Sequence, residues 1–295
     1  TTASGLADFA GQYKIHAGGW QDWVSATTST SAIFNISVSV GQTVYFRSRA
    51  RDIIGNLENW PAGENGDTSI TIIASAPNII TAGNTSFALS NWAASFTWAH
   101  TISGDDPVLL VSLHGDGDYL NANSVTYSGQ AMTLAAKKIY NQAFNNIAVY
   151  IYYLANPPQG AHNIAVNIGW AFPFAASAIT FNNCNTANPV NLSLTGVFVE
   201  NTIAMSHATT TTSANIMLVD AVTYNKPSFI SVAAGAGQTR YFNQESTGQW
   251  FGQTNDLYAG ASYKSAESAG LQTMGWTTGD SRTSVQAIVA LNPKP

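Results

Sequence analysis

Short β-type segments separated by turn residues run the length of this chain, and this pattern constrains the fold more than any other feature. Gly, Asn, Pro or Ser interrupts the apolar and Thr-rich stretches about every ten residues. The best helical candidate, Ser128 to Phe144, reads equally well in its first half as a hairpin that turns at Ser128–Gly129. The sequence therefore predicts an all-β protein.

A small-residue stretch, IIASAPNIITAGNT, gives the clearest boundary in the chain. We predict two domains, residues 1–76 and 77–295. In the first we predict strands at Gln12–His16, Trp20–Ala26, Ala32–Val38, Thr43–Arg51 and Ser69–Ile73. In the second we predict strands at Ser86–Leu89, Ser95–Thr101, Val108–His114, Ser124–Tyr127, Ala148–Leu154, His162–Ile168, Ala175–Phe181, Ile216–Val222 and Ser284–Leu291.

The chain is poor in charge. Charged residues make up 9% of it and the net charge is −5, whereas about a quarter of the residues in ordinary soluble proteins are charged. With no basic block, binding to nucleic acid or to an anionic membrane is disfavoured, and no apolar run has the length of about 18 residues that a membrane span needs. This composition is typical of secreted, β-rich surface proteins, so we expect an extracellular or cell-surface location.

Strict alternation marks the segment VYFRSRAR in the first domain. One strand face carries Val44, Phe46, Ser48 and Ala50, and the other carries Tyr45, Arg47, Arg49 and Arg51. On the second face, Arg47, Arg49 and Arg51 are predicted to stack with Trp20 and Trp23 as a cation–π ladder. Such a strand is typical of the late part of a small β-sandwich, yet only 43 residues precede Val44.

The phrases SGLADFAGQYKIHAGGWQDW, QTVYFRSRARDIIGNLENWP and DTSITI resemble a fibronectin type III domain. The resemblance covers residues 1 to about 74, implies an immunoglobulin-like sandwich, and begins at the family's third strand. By this resemblance the domain is a truncated sandwich in which Val44, Phe46 and Ala50 line an open strand-accepting slot. Either upstream sequence of the same polypeptide fills the slot, or another copy supplies a strand by β-augmentation.

The second domain resembles a module of unassigned activity found in secreted and phage-associated multidomain proteins. The matching phrases are SFTWAHTISGDDPVLLVSL, VTYSGQAMTL, VYIYYLANPPQGAHNIAVNI, SYKSAESAGLQTMGW and SVQAIVALNP. The resemblance implies a larger, jelly-roll-like β-sandwich. These phrases encode packing and not chemistry.

Two groups of residues are candidate binding sites. The loop HGDGDYLNANS offers closely spaced oxygen ligands that suit a structural Ca²⁺ ion, namely Asp116, Asp118, Asn121 and Asn123, although the same residues also fill ordinary turns. Two aromatic pairs in Gly/Gln/Asn-rich surroundings are expected to be partly exposed and to contact sugars if the protein binds a glycan: Tyr241, Phe242, Trp250 and Phe251. No other cofactor is expected.

No catalytic motif is present: the sequence lacks G-x-S-x-G, H-E-x-x-H, a P-loop and Cys/His metal spacing. The sole cysteine, Cys184, has no partner for an intrachain disulfide. We therefore expect a non-catalytic structural protein, a subunit of a cell-surface fibre whose partners are other copies of itself. Possible donor strands are SFALSNW and SVQAIVALN, with a flexible linker from Pro77 to Ser86. The alternative is a carbohydrate-binding adhesin or an enzyme-associated module.

Overall fold

The computed structural model describes residues 5–73, 78–117, 122–142, 146–198, 203–225, 232–246, 249–250, 253–254, 257–279, 281 and 283–295. For residues 91, 197–198, 246, 249–250 and 253–254 it describes the backbone alone. The fold is all-β, as predicted, and the described residues contain no helix. The chain divides into two compact units, Thr1–Ala76 and Pro77–Pro295.

The first unit is a single antiparallel sheet. Its strands are β1 (Leu6–Ile15), β2 (Gln21–Thr27), β3 (Thr43–Asp52) and β4 (Thr68–Thr71), in the spatial order β2-β1-β3-β4. The β1–β3 pair is the longest, and it sets Tyr13 opposite Phe46 and Gln12 opposite Arg47. Because side chains alternate along each strand, the aromatic pair lies on one face and the polar pair on the other.

The predicted strand Ala32–Val38 does not form. The segment is extended, and Phe34, Ile36 and Val38 are half-buried while Ile33, Asn35 and Ser37 are exposed. It therefore has the side-chain alternation of a strand. A strand also needs a neighbouring backbone to pair with, and no described residue provides one.

The described residues of the second unit form seventeen strands. They are β5 (Thr81–Ile102), β6 (Val108–Gly115), β7 (Ser124–Tyr127), β8 (Gln130–Ala131), β9 (Thr133–Tyr140), β10 (Ile147–Ala155), β11 (Gly160–Asn182), β12 (Val190–Phe198), β13 (Ala204–Thr211), β14 (Ile216–Asn225), β15 (Val232–Ala234), β16 (Thr239–Ser246), β17 (Gln249–Trp250), β18 (Gln253–Thr254), β19 (Leu257–Ala266), β20 (Gly270–Thr278) and β21 (Ser284–Leu291).

Two large sheets enclose the central core of this unit. One sheet has the order β8-β7-β11-β6-β10-β9, with β5 paired to β11, and the other has the order β12-β21-β14-β19-β16. Alternate residues of β6, β10 and β11 face alternate residues of β14, β19 and β21 across the core. The three-stranded sheet β13-β20-β15 covers the outer face of the second large sheet, where Trp276 and Met274 are buried.

Strands β5 and β11 form one long antiparallel ribbon, where the sequence predicts four shorter strands. The pairing is irregular where Asn167 and Phe172 of β11 lie opposite Ser95 and Ala93. Near this point Trp92 and Gly169 have positive φ angles of 59° and 78°. Bulges and left-handed residues bend a ribbon sharply. The two halves of β11 consequently pair with different neighbours, β7 and β6.

The prediction of a flexible linker from Pro77 to Ser86 is wrong for its second half, because Thr81–Ser86 belong to strand β5. The hairpin at Ser128–Gly129 is confirmed. Tyr127 pairs with Gln130, and both turn residues have positive φ, as a type I′ turn requires. The alternative helix does not form, since Thr133–Tyr140 is a strand.

Candidate functional site

One face of the first unit carries an aromatic cluster covered by the unpaired segment Ala32–Val38, hereafter the accepting segment. The Phe34 ring lies edge-on to Tyr13, Trp23 and Phe46, with centroids 4.8, 5.2 and 5.1 Å apart. Edge-to-face packing of this kind contributes about 0.5–1.5 kcal/mol per pair beyond area burial. The cluster holds the accepting segment against the sheet without backbone pairing.

The backbone of the accepting segment has almost no partners. Among the described residues, no amide from Ala32 to Val38 donates a hydrogen bond to protein. The carbonyl of Ile33 accepts a hydrogen bond from Trp23 Nε1, at 3.4 Å. A row of unpaired N–H and C=O groups on an extended segment is a template for pairing with another strand.

The same face lacks a closed core. Val44 is the sole buried hydrophobic residue among those described in the first unit, and every cluster of buried hydrophobic residues lies in the second. Phe46 and Ala50 are only half-buried. The prediction that Val44 faces an empty slot is therefore wrong, because its side chain is 1% exposed. Ala50 lines an open cleft of about 430 Å³ together with Leu6, Leu57 and Glu58.

The opposite face carries the predicted cation–π ladder, with two corrections. The guanidinium of Arg47 lies 4.2 Å from the Trp20 ring and 4.9 Å from Trp60, and that of Arg49 lies 4.3 Å from Trp60. Trp23 is on the other face, in the aromatic cluster. Arg51 forms an ion pair with Asp8 instead of stacking, and this pair raises the pKa of Arg51.

Lys14 anchors the remaining part of this ladder. Its ammonium lies 5.3 Å from the Trp20 ring and 5.1 Å from the Tyr45 ring, and it contacts Glu64 at 2.8 Å. A hydrogen bond and the charge of Lys14 lower the pKa of the exposed Glu64 carboxyl. The cations on this face stack on aromatic rings or form ion pairs with carboxylates of the same chain. Their role is therefore structural, because these contacts hold the loop containing Trp60 and Glu64 against the sheet.

Of the predicted sugar-contacting residues, the structure describes the side chains of Tyr241 and Phe242. Phe242 is 3% exposed in the central core, 5.6 Å from the His114 ring. Tyr241 is half-buried; its hydroxyl makes hydrogen bonds with Ser177 and Ser112, and burial raises its pKa. The partial exposure expected for Phe242 is thus wrong, because its side chain packs into the core, whereas Tyr241 is partly exposed as expected. Phe251 lies outside the described residues, and Trp250 is described only in its backbone.

The predicted calcium loop is half outside the described residues, since Asp118 and Asn121 fall there. Asn123 forms a backbone hydrogen bond with Asn167, at 2.7 Å, and its side chain packs close to Gly169. Asp116 is half-buried at the end of β6. In the part of the chain that the structure describes, no three His, Cys, Asp or Glu residues could together hold a metal ion. Calcium binding stays a prediction.

Two buried polar networks were not predicted from the sequence. His114 contacts Ser112 at 2.8 Å and Thr223 at 3.0 Å, and burial lowers its pKa to about 3. Asp220 is fully buried and accepts hydrogen bonds from Ser262, Trp276 and Gln286.

Desolvation raises the pKa of Asp220 to about 6, although its hydrogen bonds oppose this shift. A raised carboxylate pKa can indicate general acid–base chemistry. Asp220 has no exposed surface, so a substrate cannot reach it in this conformation, and we interpret the network as structural. Its one sequence signal is a charged residue inside the apolar run IMLVDAV.

Comparison with known protein families, curated proteins and solved structures gave no match. Among the described residues there is no helix long and apolar enough to cross a membrane.

Proposed function

We propose that this chain is a non-catalytic structural subunit of an extracellular fibre or similar assembly, and that a strand from another copy completes its first unit. The observation that supports this proposal is the unpaired accepting segment lying over a sheet whose side chains are mostly half-buried. Sandwich domains ordinarily bury such a face beneath a second paired sheet. An added strand beside Ala32–Val38 would create that second sheet.

An added strand pairs favourably with the accepting segment only if apolar surface is buried at the same time. Each new backbone hydrogen bond contributes about 0.5–1.5 kcal/mol net, and each apolar side chain that becomes buried contributes about 1.5–3 kcal/mol. Ordering the incoming residues costs about 1–2 kcal/mol each, so pairing must be accompanied by apolar burial. The half-buried rings of Phe34 and Phe46 provide apolar surface for that burial.

The charge pattern agrees with this proposal. From Trp23 to Phe46 the sequence contains no Asp, Glu, Lys or Arg. Exposed edges in monomeric proteins are commonly protected by charges, especially lysine, that prevent pairing with other chains. The accepting segment has no such protection, as expected for a segment that pairs in its working state.

Proline substitutions test the proposal because proline removes one backbone donor. Backbone N–H groups of successive strand residues point to opposite edges, so Asn35→Pro and Ile36→Pro together remove a donor from each edge. We expect at least one of them to abolish assembly measured by light scattering and electron microscopy. Thr30→Pro, just outside the accepting segment, is the matched control and should assemble normally.

The two proline variants should keep the wild-type circular dichroism spectrum, since the amides of Asn35 and Ile36 make no hydrogen bond with described residues. Normal assembly by both variants would overturn the proposal. So would a wild-type protein that stays monomeric at millimolar concentration. If upstream residues of the same polypeptide fill the open face, a longer chain will be monomeric while the present one associates, and this result also contradicts strand exchange between copies.

A further inference from the structure

Strand β5 presents an unpaired edge on the second unit. Among the described residues it pairs with β11 alone, over seventeen residue pairs between Thr81 and Ile102. It is therefore an edge strand along its whole length. The mean strand in globular proteins has about five to six residues, and edge strands are usually kept short. The bend near Trp92 divides the 22 residues of β5 into two halves. The halves contact each other, since Asn84 Nδ2 donates to the Thr101 carbonyl at 2.9 Å and Ser86 Oγ lies 2.8 Å from His100 Nδ1. Each half presents an edge that forms no ladder with the described residues.

This edge has no charged residue. From Thr68 to Gly104 the sequence contains no Asp, Glu, Lys or Arg. Phe87 and Leu89, on the same side of β5, are 53% and 44% exposed. The Phe87 ring lies 6.0 Å from that of Phe242, so this exposed surface continues the central core. A strand added beside β5 would cover this rim.

The two donor segments predicted from the sequence are held in their own sheets. SVQAIVALN falls on β21, which lies between β12 and β14 and is buried throughout. SFALSNW lies within β5, which is paired to β11. Removing either strand from its sheet would break a complete ladder of hydrogen bonds. β5 can nevertheless complete a neighbour without leaving its sheet, because among the described residues no second strand pairs with it.

We propose that the free edge of β5 in one copy pairs with the accepting segment of the next copy. This inference rests on the proposed function and names its partner surface. Both surfaces are extended, both lack charge, and both leave apolar side chains partly exposed. A single strand-to-strand contact would supply backbone partners to both surfaces and bury apolar side chains of both. Because the two surfaces differ, the interface is heterologous, and repeated head-to-tail contacts of this kind build a filament unless they close into a ring.

Cross-linking between proteins that each carry one introduced cysteine tests this pairing directly. The native Cys184 is 1% exposed and burial raises the pKa of its thiol to about 12, so it is unreactive. Proteins carrying Asn35→Cys or Ser37→Cys are mixed with tagged proteins carrying Ala88→Cys or Leu89→Cys, whose side chains point to opposite faces of the sheet, and mildly oxidised. Neighbouring strands bring Cβ atoms within disulfide reach. We expect at least one of the four mixtures to give a disulfide heterodimer in more than half of the chains.

The matched control is Leu271→Cys on β20, where the native side chain is 72% exposed. It should give no heterodimer above background with either accepting-segment cysteine. Filaments that form without any cross-link between the accepting segment and β5 would overturn this inference and leave the proposed function intact. β5-to-β5 homodimers alone would overturn it in favour of a symmetric dimer. Absence of any assembly would overturn both proposals.

A charge substitution provides a second test that does not depend on register. Leu89→Lys places a lysine on the free edge, and we expect it to raise the critical concentration for assembly at least tenfold. Leu271→Lys is the control and should leave that concentration unchanged. Equal assembly by the two variants would contradict the pairing. Retention of the wild-type melting temperature by Leu89→Lys would show that its effect is on association and not on folding.

Discussion

The buried carboxylate of Asp220 gives a quantitative prediction for the second unit. Its pKa is raised from an ordinary value of 3.8 to about 6 in the folded protein, with desolvation as the main cause. Between these two values the folded state binds the proton and the unfolded state does not. The contribution of Asp220 to the free energy of unfolding therefore falls as pH rises from about 4 to 6. A shift of about two units corresponds to about 3 kcal/mol.

Asp220→Asn removes this titration and keeps the size of the side chain. An asparagine oxygen can still accept the hydrogen bonds that Trp276 and Gln286 donate at 2.7 and 2.6 Å. Its NH₂ group can donate to Ser262 Oγ, while the amide of Ser262 loses its acceptor. That loss is independent of pH. We therefore expect the stability of the variant relative to wild type to increase by about 3 kcal/mol between pH 4 and pH 6.5.

The assay is urea unfolding at half-unit pH steps. Unfolding is monitored by pulsed hydrogen exchange in peptides from β14 and β21. These peptides report the second unit alone. The contributions of His100 and His114 cancel because both proteins retain them. A difference that does not change with pH, or that changes in the opposite direction, would show that the hydrogen bonds to Asp220 outweigh its desolvation, and would refute desolvation as the dominant cause.

Three further predictions concern other parts of the chain. Burial lowers the pKa of His114 to about 3, so below pH 6.5 the unfolded state binds a proton that the folded state excludes. In urea titrations the wild-type free energy of unfolding should therefore fall by about 2 kcal/mol more than that of His114→Gln between pH 6.5 and pH 5, and equal falls would contradict this prediction. Trp60→Ala removes the stacking of Arg47 and Arg49 and should lower the stability of the first unit by about 1–3 kcal/mol, whereas Trp60→Phe should lower it less; calorimetry distinguishes them. Gly66 and Gly63 both have positive φ, but a Cβ at Gly66 would meet the Phe46 carbonyl and come within 2.8 Å of the Trp20 ring, whereas a Cβ at Gly63 would meet nothing. Gly66→Ala should therefore destabilise the first unit more than Gly63→Ala does, and equal melting temperatures of the two variants would refute the packing argument.

The fold class and many strands could be predicted because they depend on local patterns. Strands β6, β7 and β10 lie within a residue or two of their predicted positions, since a buried strand reads as a continuous apolar run and a turn has its own chemistry. The hairpin at Ser128–Gly129 was predictable for the second reason.

Features that depend on distant partners were not predictable. Ala32–Val38 has the alternation of a strand and fails to form one because pairing requires a second backbone. Strands β5 and β11 each appear as two strands in the sequence, since the residues at the bend resemble a turn. Tyr241 and Phe242 sit among polar residues in the sequence, yet the fold packs them against Ser177 and His114.

The central claim is that a strand from another copy pairs with the accepting segment. Cryo-electron microscopy of the unmodified protein, concentrated under native conditions, tests it most directly. We predict filaments in which density from a neighbouring subunit lies alongside Ala32–Val38 at the strand spacing of about 4.8 Å. Discrete particles, or filaments in which both edges of that segment stay unpaired, would contradict the claim.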